Sequence, residues 1–195
     1  MDLRVEKTYR SLTNEFMSLL EEKSFEDITV AELCNRAMIR RTTFYKHFAD
    51  KNEFLVFFVK EIRSDFAQKV ESENHDSNDI VENCINMMNE TLQFLEGHGK
   101  LVDNTLSSQS APLILEALGD VIYGDILKRL ASNETSRQSE DKKKMLATFV
   151  SGGITKMMLV WCHAGRPEAM KEVMAQTLQS AKSLFREGTR AQTKR

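Results

Sequence analysis

The chain has 195 residues with a formal net charge of −2, and 41% of them are hydrophobic and 29% charged. This balance is typical of a globular protein and excludes a wholly disordered chain. Gly and Pro number only 8 and 2, which argues against sandwiches, barrels and propellers, because those folds need many tight turns. The near-neutral charge means that any signal for a nucleic-acid partner must be local.

The apolar residues recur at intervals of three and four in almost every segment, which predicts an all-α fold of about nine helices. Short helices come first and the longer helices of a bundle follow. Capping boxes at 29–32, 50–53 and 79–82 mark three helix starts, and Gly165-Arg166-Pro167 separates the last two helices. The predicted helices lie at about 3–22, 30–37, 40–48, 51–73, 80–97, 101–106, 111–131, 141–163 and 167–186.

The cysteines and the N-terminus favour a cytoplasmic protein. Cys34, Cys84 and Cys162 are widely spaced and form no CxxC pair, so free thiols in a reducing compartment are expected. The first ten residues mix both charge signs and predict no signal peptide. The most apolar segment, 149–162, is shorter than the about 20 residues of a membrane span, so we expect a core helix and no membrane partner.

Two short helices joined by a tight turn, within residues 29–51, are the arrangement of a helix-turn-helix. Such a unit packs its first helix across the second, which enters the major groove of DNA. The small residues Ala31, Cys34 and Ala37 let the two helices cross closely. The larger apolar residues that are candidates for the inward side are Leu33, Ile39, Phe44 and Phe48.

Positive charge is concentrated on this segment. Residues 35–51 hold five basic side chains and one acidic, whereas residues 21–32 hold five acidic and one basic. Phosphate contacts supply most of the non-specific affinity for DNA, so this contrast favours DNA binding. A solvated helix face is the alternative for a charge run taken alone.

The run TVAELCNRAMIRRTTFYKHFADKNEF at 29–54 resembles the N-terminal DNA-binding region of TetR-type (TetR/AcrR-like) transcriptional regulators, and the resemblance spans about residues 9–62. It implies a homodimer that binds a palindromic operator in double-stranded DNA, commonly as a repressor released by a small molecule. The implied division is a helix-turn-helix domain at 1–50, continuing into a linking helix from 51, and a helical ligand-binding and dimerisation domain at 51–195.

The resemblance implies DNA contacts at nine positions. Positions matched to base edges or nearby phosphates are Arg40, Arg41, Thr42, Thr43 and Lys46. Positions matched to backbone contacts, which fix register without reading sequence, are Thr29, Tyr45, His47 and Lys51. A hydrogen-bonded structural histidine is the alternative for His47.

Two residues depart from the family pattern. Met38 stands where Gly is usual, in a turn that needs a left-handed residue, and a non-Gly residue there costs about 1–2 kcal/mol. We therefore expect either a reshaped turn or burial of Met38. Arg40 stands where Ser often caps the recognition helix, and Arg cannot cap in that way.

The last two helices are candidates for a four-helix dimer interface. Residues 149–162 are apolar nearly all round, which predicts burial on two sides. Close approach of a partner helix, or room for a ligand, would explain the adjacent glycines there, and packing within the protomer is the alternative. The candidate interface residues are Gly152, Gly153, Met170, Met174, Thr177, Leu178, Ala181 and Phe185.

The resemblance also implies an effector pocket in the bundle. The ten Met residues suit an adaptable, largely apolar cavity. Ordinary core packing is the alternative for each candidate. The candidate ligand contacts are Phe66, Met88, Leu92, Phe94, Tyr123, Met157, Met158 and Trp161.

No pattern in the chain predicts catalysis, a cofactor or a metal. Cys162 and His163 are adjacent and would point about 100° apart on a helix. The sequence has no nucleophile elbow, P-loop, dinucleotide fingerprint or HExxH, and its four histidines lack metal-ligand spacing. The alternatives to a ligand-released repressor are a helical adaptor that acts through a protein partner and a ligand-dependent activator.

Overall fold

The computed structural model describes residues 3–73, 80–132 and 139–180. These residues form nine α-helices and no strand, which confirms the predicted all-α class. The helices are α1 (Leu3–Glu22), α2 (Val30–Arg36), α3 (Arg41–His47), α4 (Lys51–Glu73), α5 (Ile80–Gly97), α6 (Gly99–Leu106), α7 (Ala111–Ser132), α8 (Glu140–His163) and α9 (Glu168–Ser180).

The described residues divide into two compact units. The first takes its residues from Met1–Ile62 and Leu95–Ala117, and the second from Arg63–Phe94 and Leu118–Arg195. Helices α4, α5 and α7 therefore contribute residues to both units. The domain boundary expected after residue 50 stays a prediction.

An aromatic cluster forms the core of the first unit. Phe16 of α1 is fully buried and meets Phe25, Phe54 and Phe58 edge-on, with ring centroids 6.1, 5.1 and 5.1 Å apart. Phe44 of α3 lies 5.7 Å from Phe54 of α4. Edge-to-face pairs stabilise a core beyond their buried area, so the cluster holds α1, α3 and the start of α4 together.

In the first two predicted capping boxes, only one of the two reciprocal hydrogen bonds forms. Thr29 Oγ1 accepts the Glu32 amide at 3.1 Å, and Asp50 Oδ1 accepts the Glu53 amide at 2.9 Å. The return bonds go elsewhere, because the Glu32 carboxylate accepts from Lys23 Nζ at 2.7 Å and that of Glu53 accepts from the amide just before Asp50. The third predicted box begins outside the described residues.

Helix α8 of the second unit has two opposite faces. One face is buried within the protomer and consists of Ala147, Val150, Ser151, Ile154, Met158 and Trp161. The other is exposed and includes the apolar side chains of Met145, Phe149 and Val160. The burial predicted on one side is therefore present, and burial of the other side against a partner helix stays a prediction. By length and composition alone α8 could also cross a membrane, and 33% of its most apolar window is buried.

The stop between α8 and α9 forms as predicted. Gly165 adopts a left-handed φ of 81°, and the Arg166 amide donates to the carbonyl of Trp161 at 3.0 Å. This is the bond that closes a Schellman cap. The Trp161 indole donates to the Pro167 carbonyl at 3.1 Å, which fixes the start of α9 against the fully buried ring.

Candidate nucleic-acid interface

A four-residue turn joins α2 to α3. The Met38 amide donates to the Asn35 carbonyl at 3.2 Å, and the Ile39 amide donates to the Cys34 carbonyl at 2.9 Å. These two bonds make a Schellman motif whose left-handed position is Met38, at φ 55°. Met38 is 92% exposed. The predictions of a reshaped turn and of a buried Met38 are therefore both wrong, because the turn keeps its left-handed residue and that residue is exposed.

We expect Met38→Gly to stabilise the protein by about 0.5–1 kcal/mol, since relief of left-handed strain outweighs the extra entropy of Gly in the unfolded chain. Met38→Ala keeps the Cβ that causes the strain and serves as the control. Chemical denaturation of the three proteins checks this. A Gly variant no more stable than the Ala variant would contradict it.

The inward side of the helix-turn-helix is packed as predicted. Leu33, Phe44 and Phe48 are buried and Ile39 is half-buried. Burial raises the pKa of the Cys34 thiol, although Arg41 opposes the shift, so Cys34 stays a protonated core residue. The two short helices are therefore held by an apolar seam that leaves their other sides to solvent.

The outward side of α3 carries the predicted recognition residues. Thr43 is half-buried, and the exposed members are Arg40, Arg41, Thr42, Tyr45 and Lys46. The helix starts at Arg40 without a side-chain cap. Across the three described ranges, no ion pair or hydrogen bond engages the side chains of Arg40, Arg41 or Lys46. Three cations of this helix surface are thus available to phosphates or base edges.

Arg36 does not add to this charge. Its Nη1 and Nη2 donate to the two carboxylate oxygens of Glu22 at 2.6 and 2.5 Å. These hydrogen bonds, with the attraction between the charges, lower the pKa of Glu22 and raise that of Arg36. Glu22 is 14 residues away in sequence, so the local count of basic residues overstated the patch.

His47 is held by a residue that the sequence analysis missed. The Tyr9 hydroxyl lies 3.2 Å from His47 Nδ1, and the two rings meet edge-on at 5.3 Å. With the ring proton on Nε2, Tyr9 donates to Nδ1 and Nε2 remains a donor for a phosphate. The half-buried ring therefore suits both roles considered for it. Tyr9 precedes His47 by 38 residues, so the pattern of residues 29–51 gives no sign of this bond.

The Lys51 ammonium forms hydrogen bonds within the protein. Its Nζ donates to the carbonyls of Phe25, Glu26 and Ile28 at 2.9, 2.9 and 3.0 Å, and it lies 4.5 Å from the centre of the Phe25 ring. An ammonium has three donors, and all three are used. The side chain ties the first residue of α4 to the loop before α2, so we leave it out of the proposed DNA contacts.

We expect Lys51→Met to lower the free energy of unfolding by about 2 kcal/mol, because three carbonyls lose a charged donor. The slope of log affinity for DNA against log salt should stay unchanged. Lys46→Met is the matched control. Its free energy of unfolding should stay within about 0.5 kcal/mol of the native value, and its salt slope should become shallower. Denaturation and salt-titrated DNA binding of both variants check this; a shallower slope for Lys51→Met would return that residue to the contact set.

A cavity of about 20 Å³ lies inside the second unit. Of the predicted ligand residues, Met88 and Met158 line it. The others are placed away from its wall: Leu92 and Trp161 are buried, Phe94, Tyr123 and Met157 are half-buried, and the side chain of Phe66 is outside the described residues. The wall also holds Arg63, Asp125 and Arg129, which a search for apolar stripes could not find.

The predicted dimer residues fall into three groups. Gly152, Gly153 and Thr177 are exposed and Met170 is half-buried. Met174 and Leu178 are buried within the protomer, so their side chains pack on its own helices. Ala181 and Phe185 lie outside the described residues.

Residues 30–47 thus form a helix-turn-helix whose second helix presents a hydroxyl, a phenol and unpaired cations to solvent, the arrangement of a DNA-binding protein. The family described as "Bacterial regulatory proteins, tetR family" matches residues 17–56. The TetR-type "Transcriptional regulator C-terminal region" matches residues 82–183, more than half of the chain. The chain belongs to the TetR family of transcriptional regulators, which are DNA-binding and generally non-enzymatic.

One curated relative is similar over part of the sequence, and solved structures share the fold. The chain is 36% identical over 61 residues to the uncharacterized HTH-type transcriptional regulator YxbF of Bacillus subtilis, a match covering 31% of this chain and only 16% of that protein. A TetR-family regulator from Syntrophomonas wolfei superposes with a TM-score of 0.64 at 14% identity, over 95% of this chain and 98% of the other. The TetR family repressor AlkX from Dietzia gives 0.62 at 13% identity, over 92% and 95%.

Proposed function

We propose that the protein is a cytoplasmic, homodimeric repressor that binds a palindromic operator and is released by a small-molecule effector. The observation that carries the proposal is the exposed side of α3, whose cations have no partner among the described residues. The operator contacts proposed are Thr29, Arg40, Arg41, Thr42, Thr43, Tyr45, Lys46 and His47.

The proposed dimer forms through the exposed face of α8. Met145, Phe149 and Val160 are 70%, 63% and 42% exposed on that face, and the adjacent glycines lie between them at helical spacing. A Cβ added at Gly152 or Gly153 would meet none of the described atoms within 4 Å, so the packing of the described residues does not require glycine. Apolar side chains around small residues favour close packing of a second copy about a two-fold axis.

The proposed release works through α4. This helix begins at Lys51, which is tied to the loop before α2, and Arg63 of the same helix lines the cavity. A ligand that prefers one tilt of α4 changes the spacing of the two recognition helices, which must match major grooves about 34–36 Å apart.

Selection of random duplex DNA by the purified protein at near-physiological salt, followed by a footprint, tests the proposal. We expect an inverted repeat whose half-sites are about one helical turn apart. The repeat should be lost with Arg41→Ala combined with Tyr45→Phe, which remove one cation and one hydroxyl. Failure to enrich any site would contradict the proposal and favour an adaptor that acts through a protein partner.

A further inference from the structure

Arg63 is a buried cation whose donors are mostly unused. The residue is 6% exposed. Its Nη1 lies 3.3 Å from both the Met87 carbonyl and Thr91 Oγ1, and its Nη2 lies 3.6 Å from Asp125 Oδ2, beyond hydrogen-bond distance. Its Nε has no hydrogen-bond partner among the residues that the structure describes. A guanidinium carries five N–H donors, so the group has unfilled capacity, and burial lowers its pKa although Asp125 opposes the shift.

The cavity beside Arg63 has one polar end and one apolar end. The charged side chains that line the cavity are Arg63, Arg129 and Asp125, two cations and one anion. The apolar wall includes Met88, Ile126 and Met158. A ligand that fits both ends has a charged head and a hydrocarbon body.

The charge balance selects the sign of that head. A cationic head would meet two guanidiniums, and a neutral head would leave the buried donors of Arg63 without a charged acceptor. A carboxylate matches the fork of N–H groups on one edge of a guanidinium, the geometry that makes Arg the preferred partner of planar anions. The space of about 20 Å³ is of the order of one water molecule, so the body must displace Met88 and Met158, whose unbranched side chains adapt readily.

We propose that this cavity is a receptor for a small monocarboxylic acid, whose carboxylate binds Arg63 and whose short hydrocarbon chain lies between Met88 and Met158. The inference rests on the proposed effector control and gives that effector a chemical class. Asp125 is then the internal competitor for Arg63, and the acid replaces its distant contact with a closer one.

Calorimetric titration of the full-length protein, without DNA, tests the inference with hexanoate, hexan-1-ol and hexylamine. We expect hexanoate to bind at least about tenfold more tightly than hexan-1-ol, the difference that one charged hydrogen-bonded pair supplies. Asp125→Asn should tighten hexanoate binding severalfold, because it removes the competing carboxylate. Arg63→Met combined with Asp125→Asn, which keeps the net charge, should weaken hexanoate binding at least about tenfold and leave hexan-1-ol unchanged.

Several results overturn the inference. These are no binding of hexanoate, equal binding of the acid and the alcohol, tightest binding of the amine, or unchanged hexanoate affinity in the double variant. Circular dichroism and thermal unfolding check that the variants fold. If the double variant does not fold, the hexanoate affinity of Asp125→Asn alone tests the inference, and an affinity that is not increased overturns it. The titration contains no DNA, so its result does not depend on operator binding. Failure of the carboxylate site and failure of operator binding are therefore distinguishable.

Discussion

The Arg41→Gln/Lys46→Gln protein is expected to bind duplex operator DNA at least about 100-fold more weakly than the native protein at near-physiological salt, since a base or phosphate contact is worth about 1–3 kcal/mol and each occurs twice in a dimer. The slope of log affinity against log salt should fall by about 0.9 for each phosphate contact removed. Fluorescence anisotropy at several salt concentrations measures both quantities.

The matched control for this experiment is Arg36→Gln combined with Glu22→Gln. It removes a basic residue from the same helix-turn-helix together with its partner, so the net charge stays the same. Because Glu22 already neutralises Arg36, affinity and slope should remain close to native. An equal loss in both proteins would mean that binding follows the total charge of the segment and not the outward side of α3.

The second large effect concerns the exposed face of α8. We expect Gly152→Lys combined with Gly153→Lys to raise the dimer dissociation constant at least about 100-fold, because a two-fold axis brings four added cations into one contact and each substitution counts twice. The folded protomer should gain up to about 1 kcal/mol for each exchange, since Lys favours a helix over Gly and neither new Cβ meets an atom within 4 Å. Analytical ultracentrifugation and DNA binding follow the change.

Gly124→Lys is the control for that experiment. Gly124 is an exposed helical glycine on α7, and a Cβ there also meets nothing within 4 Å. The variant should be stabilised like the other and should remain dimeric. Gly153→Ala adds a single methyl group and should weaken the dimer less than Lys does. A dimer that survives both lysines on α8 would show that this face is not the contact.

Local chemistry explains what could be predicted from the sequence. Helices α1 to α9 follow from apolar spacing and from nearby caps such as Thr29 and Asp50, whose hydrogen bonds span two or three residues. The conflict at Met38 follows from the family pattern, which has Gly at this position. Whether the turn or the side chain would yield could not be predicted, because that depends on the Schellman bonds and on what surrounds the turn.

The errors and omissions come from contacts between distant residues. Arg36 and Lys51 are both part of the local count of basic residues, and Lys51 is also a predicted DNA contact, but partners 14 and 23 to 26 residues away take up their donors. Arg63 lies on the long helix α4 and attracted no attention in sequence, because its meaning depends on Thr91 and Asp125 on two other helices. Periodicity specifies which side of a helix is apolar, but it does not specify the polar partner that a folded chain brings to it.

Under the proposed release mechanism, the attachment of Lys51 limits what an effector can transmit to DNA. Three charge-assisted hydrogen bonds hold the beginning of α4 to the loop at 25–28, and that loop leads directly into α2. A shift at this end of α4 therefore moves the helix-turn-helix as a rigid unit and does not change its internal geometry. The effector should change which separation of half-sites is tolerated, while the preferred bases within each half-site stay the same with and without it.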